Sequence, residues 1–436
     1  MRKMQKENPY FFAFLLVFCS LNRTFVPMKK ITILMMTVLV MLAACSKDEE
    51  EVVQPAKRTV IAYVAAENSL SYFAQSDINE MIDGVKSISK YDNMIVFVDR
   101  AIPTEKPFII RLQNNDKLPA DTIRKYEEEF YTSDPEKMKE VLQWVMTNYP
   151  ADDYGLIIWG HGDGWVIMED SVASHRAIAV DNGNNKLSDQ GLWMNIPSLR
   201  EALKALPHPF KFIFTDCCNM QNVEVAYELK DVTEYYIASP AGIPDTGAPY
   251  DKIVPDLFTY DDVQMYKKTC DDYYNVLEKE DGHLPMAVVK SSQLPQLAQA
   301  TKTILETIYH TDTAIDTDGL IYYWTYDSNN PSNTKERVMY DMNDFLLHHA
   351  PTADYQKWLN AFNQAVVYKK RSDRWQWHGS ISYTEYVDFE VTEERFGGVS
   401  MFIPLKRYEN TYLNYNELIQ KTAWYHAVWS DVELGW

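Results

Sequence analysis

Cysteine, glycine and basic residues are scarce in this 436-residue sequence. Its 5 Cys exclude a disulfide-stapled scaffold, and 15 Gly with 20 Pro exclude a collagen-like or low-complexity polymer. The 42 Lys and Arg against 62 Asp and Glu leave a formal net charge of −20. Because proteins neutralise nucleic-acid phosphates with clustered Lys and Arg, this balance and the lack of a basic stripe argue against a nucleic-acid partner.

The first 45 residues have the layout of an export signal. Met28-Lys29-Lys30 is a short basic region, and an apolar segment of twelve residues follows at 31–42. A helix that spans a bilayer needs about 20 apolar residues, so the segment predicts a signal peptide and argues against an anchor helix. Because Met28 offers a second start position, residues 1–27 are interpreted as a mis-called start or a dispensable extension.

The segment Leu42-Ala43-Ala44-Cys45, which closes the signal, resembles a bacterial lipobox. This resemblance implies that Cys45 is acylated and anchors the mature chain in a lipid bilayer. The acidic segment 46–51 resembles the export tag of surface lipoproteins in the Bacteroidetes, and residues 46–57 are predicted to be an acidic tether. We therefore expect a protein of the cell envelope, anchored in the outer membrane, with exposure at the cell surface as a further expectation.

Strand and helix patterns alternate after the tether. Continuous apolar runs, typical of strands buried on both faces of a sheet, are separated by helical stripes. This alternation predicts an α/β fold with a mainly parallel sheet and helices on both of its faces. The predicted strands are Val60–Val64, Met94–Val98, Gly155–Trp159, Lys211–Thr215 and Glu234–Ala238.

Smaller features complete the predicted organisation. Residues 107–130 are predicted to form a polar hairpin or meander. Asp134 is predicted to cap a helix, and the capping box Ser198–Glu201 is predicted to begin another. We predict one domain over 58–255 and a C-terminal α+β region over 256–436 that packs on it. In that region we expect helices near 261–278, 292–309 and 355–368 and strands near 284–290, 320–325 and 398–403.

Two of the predicted strands end in reactive side chains. One runs into His161, and the next runs into Cys217 and Cys218 before a predicted helix. Because the carboxyl ends of parallel strands meet at one edge of a sheet, these side chains are expected to share a site. A thiol at a helix N-terminus is expected to ionise easily, and a nearby imidazole can exchange its proton, as a Cys–His nucleophile requires. The alternatives are a buried, inert cysteine and a histidine that makes a structural hydrogen bond.

Ordered segments across the chain resemble the clostripain-like cysteine peptidases of the caspase-like clan. The resemblance spans roughly residues 58–430 and is most specific in the histidine motif Tyr154–Trp165 and the cysteine motif Phe212–Leu229. It implies a caspase-like catalytic domain and cysteine endopeptidase activity. Further similar segments are Thr59–Leu70, Asp134–Asp152, Gly247–Tyr250, Tyr340–Phe345 and Gly398–Pro404.

The family motifs imply a role for each site residue. Their alignment selects Cys218 as the nucleophile, leaves Cys217 as a bystander, and makes His161 the catalytic base. Asp216 would line the S1 pocket and pair with a substrate Arg or Lys; the alternative for Asp216 is a cap on the following helix. The backbone N–H groups of Gly162 and Cys218 are implied to hold the oxyanion.

The resemblance therefore implies an exported, lipid-anchored endopeptidase that forms a thioester and cleaves proteins or peptides after Arg or Lys. The chain departs from the family pattern at Asn219, which replaces a Leu, at 239–241, which replaces Ser-Glu-Glu, and at Ala248, which replaces a Trp. Because of these changes, an alternative hypothesis is a binding lipoprotein that keeps the peptidase fold but has lost catalytic activity. A glycan-capturing surface lipoprotein is a third hypothesis, which the acidic tether and the aromatic content favour.

Two further expectations concern processing and cofactors. Relatives are often zymogens cut between the two motifs, and here Lys186–Leu187 and then Arg176–Ala177 are the predicted self-cleavage bonds, because the surrounding loop is long and polar. The alternative is that a long surface loop carries a basic residue by chance. The sequence does not call for a cofactor. Some relatives need calcium, and Asp163 and other Asp-rich stretches could bind this ion here. The alternative is that these acidic loops are simply solvated.

Overall fold

The computed structural model describes residues 56–167, 177–183, 186–189, 191–279, 284–309, 315–324, 337–373, 375, 390–410 and 413–434. The export signal, Cys45 and most of the tether lie outside these residues. In chain order the strands are β1 Ala56–Ala66, β2 Asn93–Arg100, β3 Phe108–Leu112, β4 Ala120–Lys125, β5 Ala151–Trp159, β6 Ile178–Asp181, β7 Leu192–Met194, β8 Phe210–Asp216, β9 Thr233–Ala238, β10 Met286–Lys290, β11 Tyr340–Asp341, β12 Val366–Lys370 and β13 Ser400–Met401.

Helices connect these strands, and several are joined by short 3₁₀ turns. In chain order the α-helices are α1 Ser71–Gly84, α2 Pro135–Asn148, α3 Ile196–Lys204, α4 Val223–Glu228, α5 Tyr250–Leu257, α6 Asp262–Lys279, α7 Leu294–Tyr309, α8 Met342–His349, α9 Thr352–Ala365 and α10 Tyr415–Leu418.

One nine-stranded sheet organises the described residues, in the order β12-β10-β9-β8-β5-β1-β2-β3-β4. The five central strands, from β9 to β2, are parallel to one another. At each edge two antiparallel strands continue the sheet, β10 with β12 on one side and β3 with β4 on the other. The prediction of an α/β fold with a mainly parallel sheet is confirmed.

Alternate residues of the central strands supply two separate hydrophobic cores. On β1, Ile61 and Tyr63 face the core that packs against α2, α3, α7 and α9. Val60 and Ala62 face the core that packs against α1, α5 and α6. All four side chains have no exposed surface. The apolar run of β1 therefore packs into two layers of helices, one on each face of the sheet, as an unbroken apolar run predicts.

The C-terminal region contributes to the same sheet. The strand expected near 284–290 is β10, and both β10 and β12 pair within the nine-stranded sheet. The strand expected near 320–325 is wrong over its described residues, 320–324, where only an isolated bridge between Tyr322 and Tyr340 forms. The strand expected near 398–403 is reduced to the two residues of β13, which pair with β11. The helices expected near 261–278, 292–309 and 355–368 correspond to α6, α7 and α9.

Helix starts follow the sequence signals in one case and not in another. Asp134 caps α2 as predicted, because its carboxylate accepts a hydrogen bond of 2.8 Å from the N–H of Glu136. The capping box predicted at Ser198 is wrong, since α3 already begins at Ile196 after Asn195. Pro197 lies in the first turn of this helix, where its fixed φ and missing N–H favour a helix start.

A partly buried ion pair joins β1 and β5 at the end of the sheet opposite the strand ends that carry His161 and the cysteines. Arg58 on β1 is 1% exposed and donates two hydrogen bonds, of 2.5 and 2.9 Å, to the carboxylate of Asp153 on β5. It also donates to the carbonyl oxygens of Leu257 and Thr259, at 2.7 and 3.2 Å. One guanidinium thus joins two central strands to the end of α5.

Within the part of the chain that the structure describes, no helix combines the length and the apolar character needed to cross a bilayer.

Candidate active site

The predicted site residues line a cavity at the carboxyl edge of the sheet. β5 and β8 are neighbours in the sheet, and Trp159 at the end of β5 lies opposite Asp216 at the end of β8. The two loops that leave these strands therefore start side by side. They enclose a cavity of about 420 Å³ lined by Leu70, Trp159, Gly160, His161, Gly162, Asp163, Asp189, Trp193, Asp216, Cys217, Cys218, Ile243, Pro244, Asp245, Gly247 and Trp324.

Gly160 turns the chain out of β5 and delivers His161 to this cavity. Gly160 has a φ of +146°, and a Cβ there would lie 2.9 Å from the carbonyl oxygen of Ala65. Only glycine fits that turn. The imidazole of His161 is about one quarter exposed, and its Nε2 lies 3.2 Å from Oδ1 of Asp189 and 3.0 Å from Oγ of Ser69.

Asp189 and Ser69 also bind each other, so the three side chains form one network around the imidazole. The N–H of Ser69 donates to Oδ1 of Asp189 at 3.0 Å. Burial alone would raise the pKa of Asp189, but its bonds with His161 and Ser69 outweigh burial and hold the pKa below the usual range. Asp189 is therefore a carboxylate that binds Nε2 of His161.

The two adjacent cysteines have different environments. The side chain of Cys217 is buried, and its Sγ lies 3.4 Å from the carbonyl oxygen of Ile158. Burial raises the pKa of this thiol well above its usual value. Cys218 is partly exposed and lines the cavity. Its Sγ accepts a hydrogen bond of 3.2 Å from the N–H of Ile243.

The expectation that a helix N-terminus ionises Cys218 is wrong. The helix α4 begins only at Val223, and the residue before it is Asn222, so Cys218 lies in a turn outside the reach of the helix dipole. Burial raises the pKa of Cys218 to about 11, against the N–H of Ile243, which lowers it. Cys218 in this arrangement is a neutral thiol.

Gly162 lies directly against the cysteine loop. A Cβ on Gly162 would lie 2.8 Å from the carbonyl oxygen of Cys218 and 2.8 Å from Cβ of Cys217. An antiparallel bridge between Gly162 and Ile178 holds the histidine loop from the other side. The two backbone segments predicted to supply the oxyanion hole are therefore in contact, and only a residue without a side chain fits between them.

Asn219, where the family has Leu, adopts a left-handed backbone with a φ of +59°. Asparagine tolerates this conformation better than a branched or bulky apolar residue. The N–H of Asn219 donates to the carbonyl oxygen of Ala241 at 2.9 Å, and the N–H of Gln221 donates to that of Ser239 at 2.8 Å. The loop 239–248 thus holds the cysteine loop through backbone hydrogen bonds.

Asp216 is buried next to Cys217 and Cys218, and its carboxylate accepts three hydrogen bonds. They come from the hydroxyls of Tyr273 (2.6 Å) and Tyr250 (2.8 Å) and from the N–H of Ala248 (3.1 Å). Burial raises the pKa of Asp216, and these three bonds oppose that rise. The alternative role as a helix cap is wrong, because α4 begins seven residues later and Asn222 precedes it.

A second buried carboxylate, Asp77 on α1, lies close to Asp216. A Cβ on Gly247 would lie 2.6 Å from Oδ2 of Asp77 and 3.4 Å from Oδ2 of Asp216. Both carboxylates therefore lie next to this glycine. Asp77 accepts a hydrogen bond of 2.6 Å from Nε1 of Trp159. Burial and then the charge of Asp216 raise the pKa of Asp77 to about 8.

The structure brings His161, Gly162, Asp216 and Cys218 to one cavity. The self-cleavage candidate Lys186 is exposed on the loop between β6 and β7, whereas Arg176 and Cys45 lie outside the described residues. Asp163, named for calcium, lines the active-site cavity.

Sequence reasoning missed the partners of the site residues. Ser69 lies in the segment Thr59–Leu70, whose family resemblance was noted without a role, so that segment held a usable signal. Asp189 and Trp193, whose indole lies 6.1 Å from the imidazole of His161, follow a polar loop with no periodicity. The two tyrosines on Asp216 come from α5 and α6, and no local pattern relates them to β8.

Comparisons with known proteins agree with this architecture. The profile of peptidase C11, the clostripain family, matches residues 62–434. Clostripain from Hathewaya histolytica is 28% identical over 222 residues, which are 45% of this chain and 41% of clostripain. The match thus spans less than half the length of that curated relative.

Two solved structures share the fold over most of the chain. A secreted C11 cysteine protease from Bacteroides thetaiotaomicron, bound to an irreversible peptide inhibitor, is 31% identical, with a TM-score of 0.69 over 85% of this chain and 98% of that one. An inactive zymogen C11 protease from Parabacteroides distasonis is 24% identical, with a TM-score of 0.69 over 86% of this chain and 99% of that one. The caspase-like fold and the enzyme class predicted from the sequence are confirmed: this chain belongs to the clostripain family of cysteine peptidases.

Proposed function

We propose that this chain is an exported, lipid-anchored endopeptidase that cleaves proteins or peptides after Arg or Lys, with Cys218 as nucleophile and His161 as general acid–base. One observation carries the proposal: neighbouring strands deliver the thiol of Cys218 and the imidazole of His161 to the same cavity. Of the three cysteines that the structure describes, the other two, Cys217 and Cys270, are buried.

The reaction begins from a neutral thiol. Because burial raises the pKa of Cys218 to about 11, Sγ must lose its proton to a base as it attacks. His161 accepts this proton, the S–C bond forms, and the oxyanion is held by the N–H groups of Gly162 and Cys218. The C–N bond then breaks and His161 returns the proton to the leaving amine. Water, deprotonated by His161, hydrolyses the thioester and regenerates the thiol.

This mechanism requires the imidazole to exchange partners. In the present arrangement Nε2 of His161 binds Asp189 and Ser69, while Sγ of Cys218 binds the N–H of Ile243. Substrate that enters the cavity displaces these contacts and brings the two groups into proton-transfer distance. Asp189 is thus a resting-state partner of the catalytic histidine.

A preference for basic residues is supported by the charge of the cavity. Among the residues that the structure describes, four aspartates line it, Asp163, Asp189, Asp216 and Asp245, and no Lys or Arg does. A guanidinium or ammonium group in the cavity would be attracted by these carboxylates. Asp216 is held in one orientation by its three donors, as a specificity residue requires.

The replacements in the loop 239–248 are not by themselves evidence that the protein has lost catalytic activity. It contacts the cysteine loop through backbone groups, including the N–H of Ile243 on Cys218 and the N–H of Ala248 on Asp216. Backbone contacts persist when the side chains change. The replaced residues therefore bear on which peptide binds and leave the nucleophile in place.

Self-processing at Lys186–Leu187 is part of the proposal. Both residues are exposed, with Leu187 46% exposed, and Asp189 follows on the same loop. Cleavage there would create a new chain end close to Asp189 and loosen its hold on His161. The same cut would thus process the chain and free the catalytic base.

Export and anchoring are supported by the sequence and by one relative. The B. thetaiotaomicron protease is described as secreted, and the segment 28–45 has the layout of a lipoprotein signal. Acylation of Cys45 would place the enzyme in the cell envelope, at the outer membrane. Mass spectrometry of the mature N-terminus would detect a diacylated or triacylated Cys45, and an unmodified N-terminus would refute the anchor.

The central test is an assay with residues 46–436 and fluorogenic peptides that carry Arg, Lys or a neutral residue at P1. We expect the Arg and Lys peptides to be cleaved and Cys218→Ala to be inactive. Cys217→Ala is the matched control, which should retain most of the turnover. Equal activity of the wild type and Cys218→Ala would refute the peptidase assignment, and a fully inactive, folded wild type would favour a degenerate binding protein.

A further inference from the structure

Two apolar side chains lie beside the network that holds His161. Leu70 directly follows Ser69, whose hydroxyl lies 3.0 Å from Nε2 of His161. The ring of Trp193 lies 6.1 Å from the imidazole ring, measured between the ring centroids. Leu70 and Trp193 are both partly buried, and both line the active-site cavity. Neither side chain takes part in the bond-making steps of the proposed mechanism.

The local backbone fixes each of these side chains. The N–H of Leu70 donates a hydrogen bond of 3.0 Å to Oδ1 of Asn68, and α1 begins at the next residue. Trp193 is the central residue of β7, and the residues on either side of it pair with β6. The Lys186–Leu187 bond lies between β6 and β7, so its cleavage would cut neither strand.

The chemistry of peptide cleavage places both side chains on the leaving-group side of the substrate. Asp216 would bind the side chain of P1, the residue before the scissile bond, while Sγ of Cys218 attacks the carbonyl carbon of P1. His161 must then reach the nitrogen of the leaving amine to return the proton. That nitrogen belongs to P1′, the residue after the scissile bond. The side chain of P1′ therefore lies next to the imidazole and the residues around it.

We propose that Leu70 and Trp193 form the S1′ subsite and that this subsite selects a large apolar residue at P1′. The inference rests on the proposed cleavage after Arg or Lys, and it specifies the residue on the other side of the cleaved bond. An apolar P1′ side chain would cover part of both Leu70 and Trp193 and remove apolar surface from water. Each methylene group that becomes fully buried strengthens binding by a factor of about four.

The charge beside the S1′ subsite disfavours acidic side chains. The carboxylate of Asp189 lies 3.2 Å from Nε2 of His161, and its side chain is 39% exposed. An Asp or Glu at P1′ would bring a second negative charge towards this carboxylate, and like charges repel. We therefore expect acidic residues to be the poorest at P1′.

The S1′ subsite also distinguishes the two bonds proposed for self-processing. The P1′ residue is Leu187 at one bond and Ala177 at the other. Leucine covers more apolar surface than alanine, so Lys186–Leu187 is expected to be cleaved in preference to Arg176–Ala177. This is the same order of the two bonds that the sequence predicted.

Acyl transfer to added amines tests the S1′ subsite while P1 stays constant. Residues 46–436 are incubated with an N-blocked arginine ethyl ester, which forms the Cys218 thioester, and with an amino acid amide. The amine nitrogen attacks the thioester carbonyl, the C–S bond breaks, and the amine proton passes through His161 to Sγ. A dipeptide amide therefore forms in competition with hydrolysis, and chromatography measures both products.

The expected result is a ranking of the amides. Leucinamide and phenylalaninamide should capture the acyl-enzyme about tenfold better than alaninamide. This is less than full burial of the larger side chains would give, because part of each remains in water. The α-amide of aspartic acid should be the poorest acceptor.

Variants locate the S1′ subsite. Trp193→Ala and Leu70→Ala should each lower the ratio of leucinamide to alaninamide capture by about threefold or more. Both amides compete for the same acyl-enzyme within one variant, so a general loss of activity does not change this ratio. Trp193→Phe should keep the preference, because an aromatic ring remains in place. Leu192→Ala is the matched control and should keep the wild-type ratio, since Leu192 precedes Trp193 on β7, is 48% exposed and does not line the cavity.

The outcomes separate this inference from the function on which it rests. A folded chain that does not hydrolyse the arginine ester would refute the proposed function and the S1′ subsite together. A chain that hydrolyses the ester but captures leucinamide and alaninamide equally would overturn the S1′ subsite alone. A wild-type preference that survives in both Trp193→Ala and Leu70→Ala would also overturn it, even if either variant turns over more slowly.

Discussion

The protonation state of Cys218 before substrate binds can be measured directly. Burial, opposed by the N–H of Ile243 and reinforced by the charges of Asp163 and Asp216, raises its pKa from 9.0 to about 11. At pH 7.5 the thiolate fraction is then about 100-fold below that of an unperturbed thiol, because each pKa unit is a factor of ten. A thiolate of higher pKa is also more nucleophilic, by about 6- to 10-fold for two units. Alkylation of resting Cys218 should therefore be about tenfold slower than that of an ordinary cysteine.

The assay follows iodoacetamide labelling from pH 6 to pH 10.5, with the modified residue mapped by mass spectrometry. The chain carries Arg176→Ala and Lys186→Ala so that it stays intact, and the same chain unfolded in urea provides the reference thiols. The labelling rate of Cys218 should still be rising above pH 9. Cys217 should stay unlabelled in the folded chain, because it is buried.

A labelling rate that levels off below pH 8, or that exceeds the rate of the unfolded chain, would refute this reasoning. Either result would mean that the resting site already contains a thiolate paired with imidazolium. A peptidyl ketone that occupies the cavity should instead label Cys218 fast at pH 7.5, since it displaces the contacts of His161 and recruits the base.

Three further outcomes follow from the packing and the charges. Gly162→Ala should reduce turnover at least 100-fold and lower the free energy of unfolding by about 1–3 kcal/mol, because its Cβ would lie 2.8 Å from the carbonyl oxygen of Cys218. Turnover equal to that of the wild type would show that the loop can shift to accommodate the methyl group. Asp77 has a folded-state pKa of about 8, above its usual 3.8, so its contribution to stability is complete below about pH 4 and is lost as pH rises to 8. Asp77→Asn should therefore gain stability relative to the wild type between pH 5 and pH 8 in urea denaturation, and parallel curves would contradict this. Arg58→Ala should cost about 1–3 kcal/mol of unfolding free energy at pH 7, because two carbonyl oxygens and the partly exposed carboxylate of Asp153 lose their buried donor; a loss below about 0.5 kcal/mol would contradict this reasoning.

Strong local patterns were enough to predict the centre of the sheet. The apolar runs of β1, β2, β5, β8 and β9 are continuous because both faces of each strand are buried, so a short window of sequence contains the signal. The motif ends of β5 and β8 then placed His161 and Cys218 at one edge. Both central loops of the candidate site were therefore accessible to sequence reasoning.

The remaining features depend on partners that are distant in the chain. The ionisation of Cys218 was mispredicted because the helix start at Val223 and the burial of the thiol are set by packing around the loop 239–248. The partners of His161 come from segments 92 and 28 residues away, at Ser69 and Asp189. No periodicity in either segment signals that contact.

The backbone hydrogen bonds between the cysteine loop and the loop 239–248 affect how this family can diversify. Main-chain N–H and C=O groups are shared by nearly all residue types, so this support places few demands on the sequence of the loop. Mutations there can accumulate without displacing Cys218, so natural selection or a directed-evolution library can change the peptide-binding side chains around an unchanged cysteine loop. The replacements at 239–241 and 248 are therefore the first positions at which to test for an effect on peptide preference.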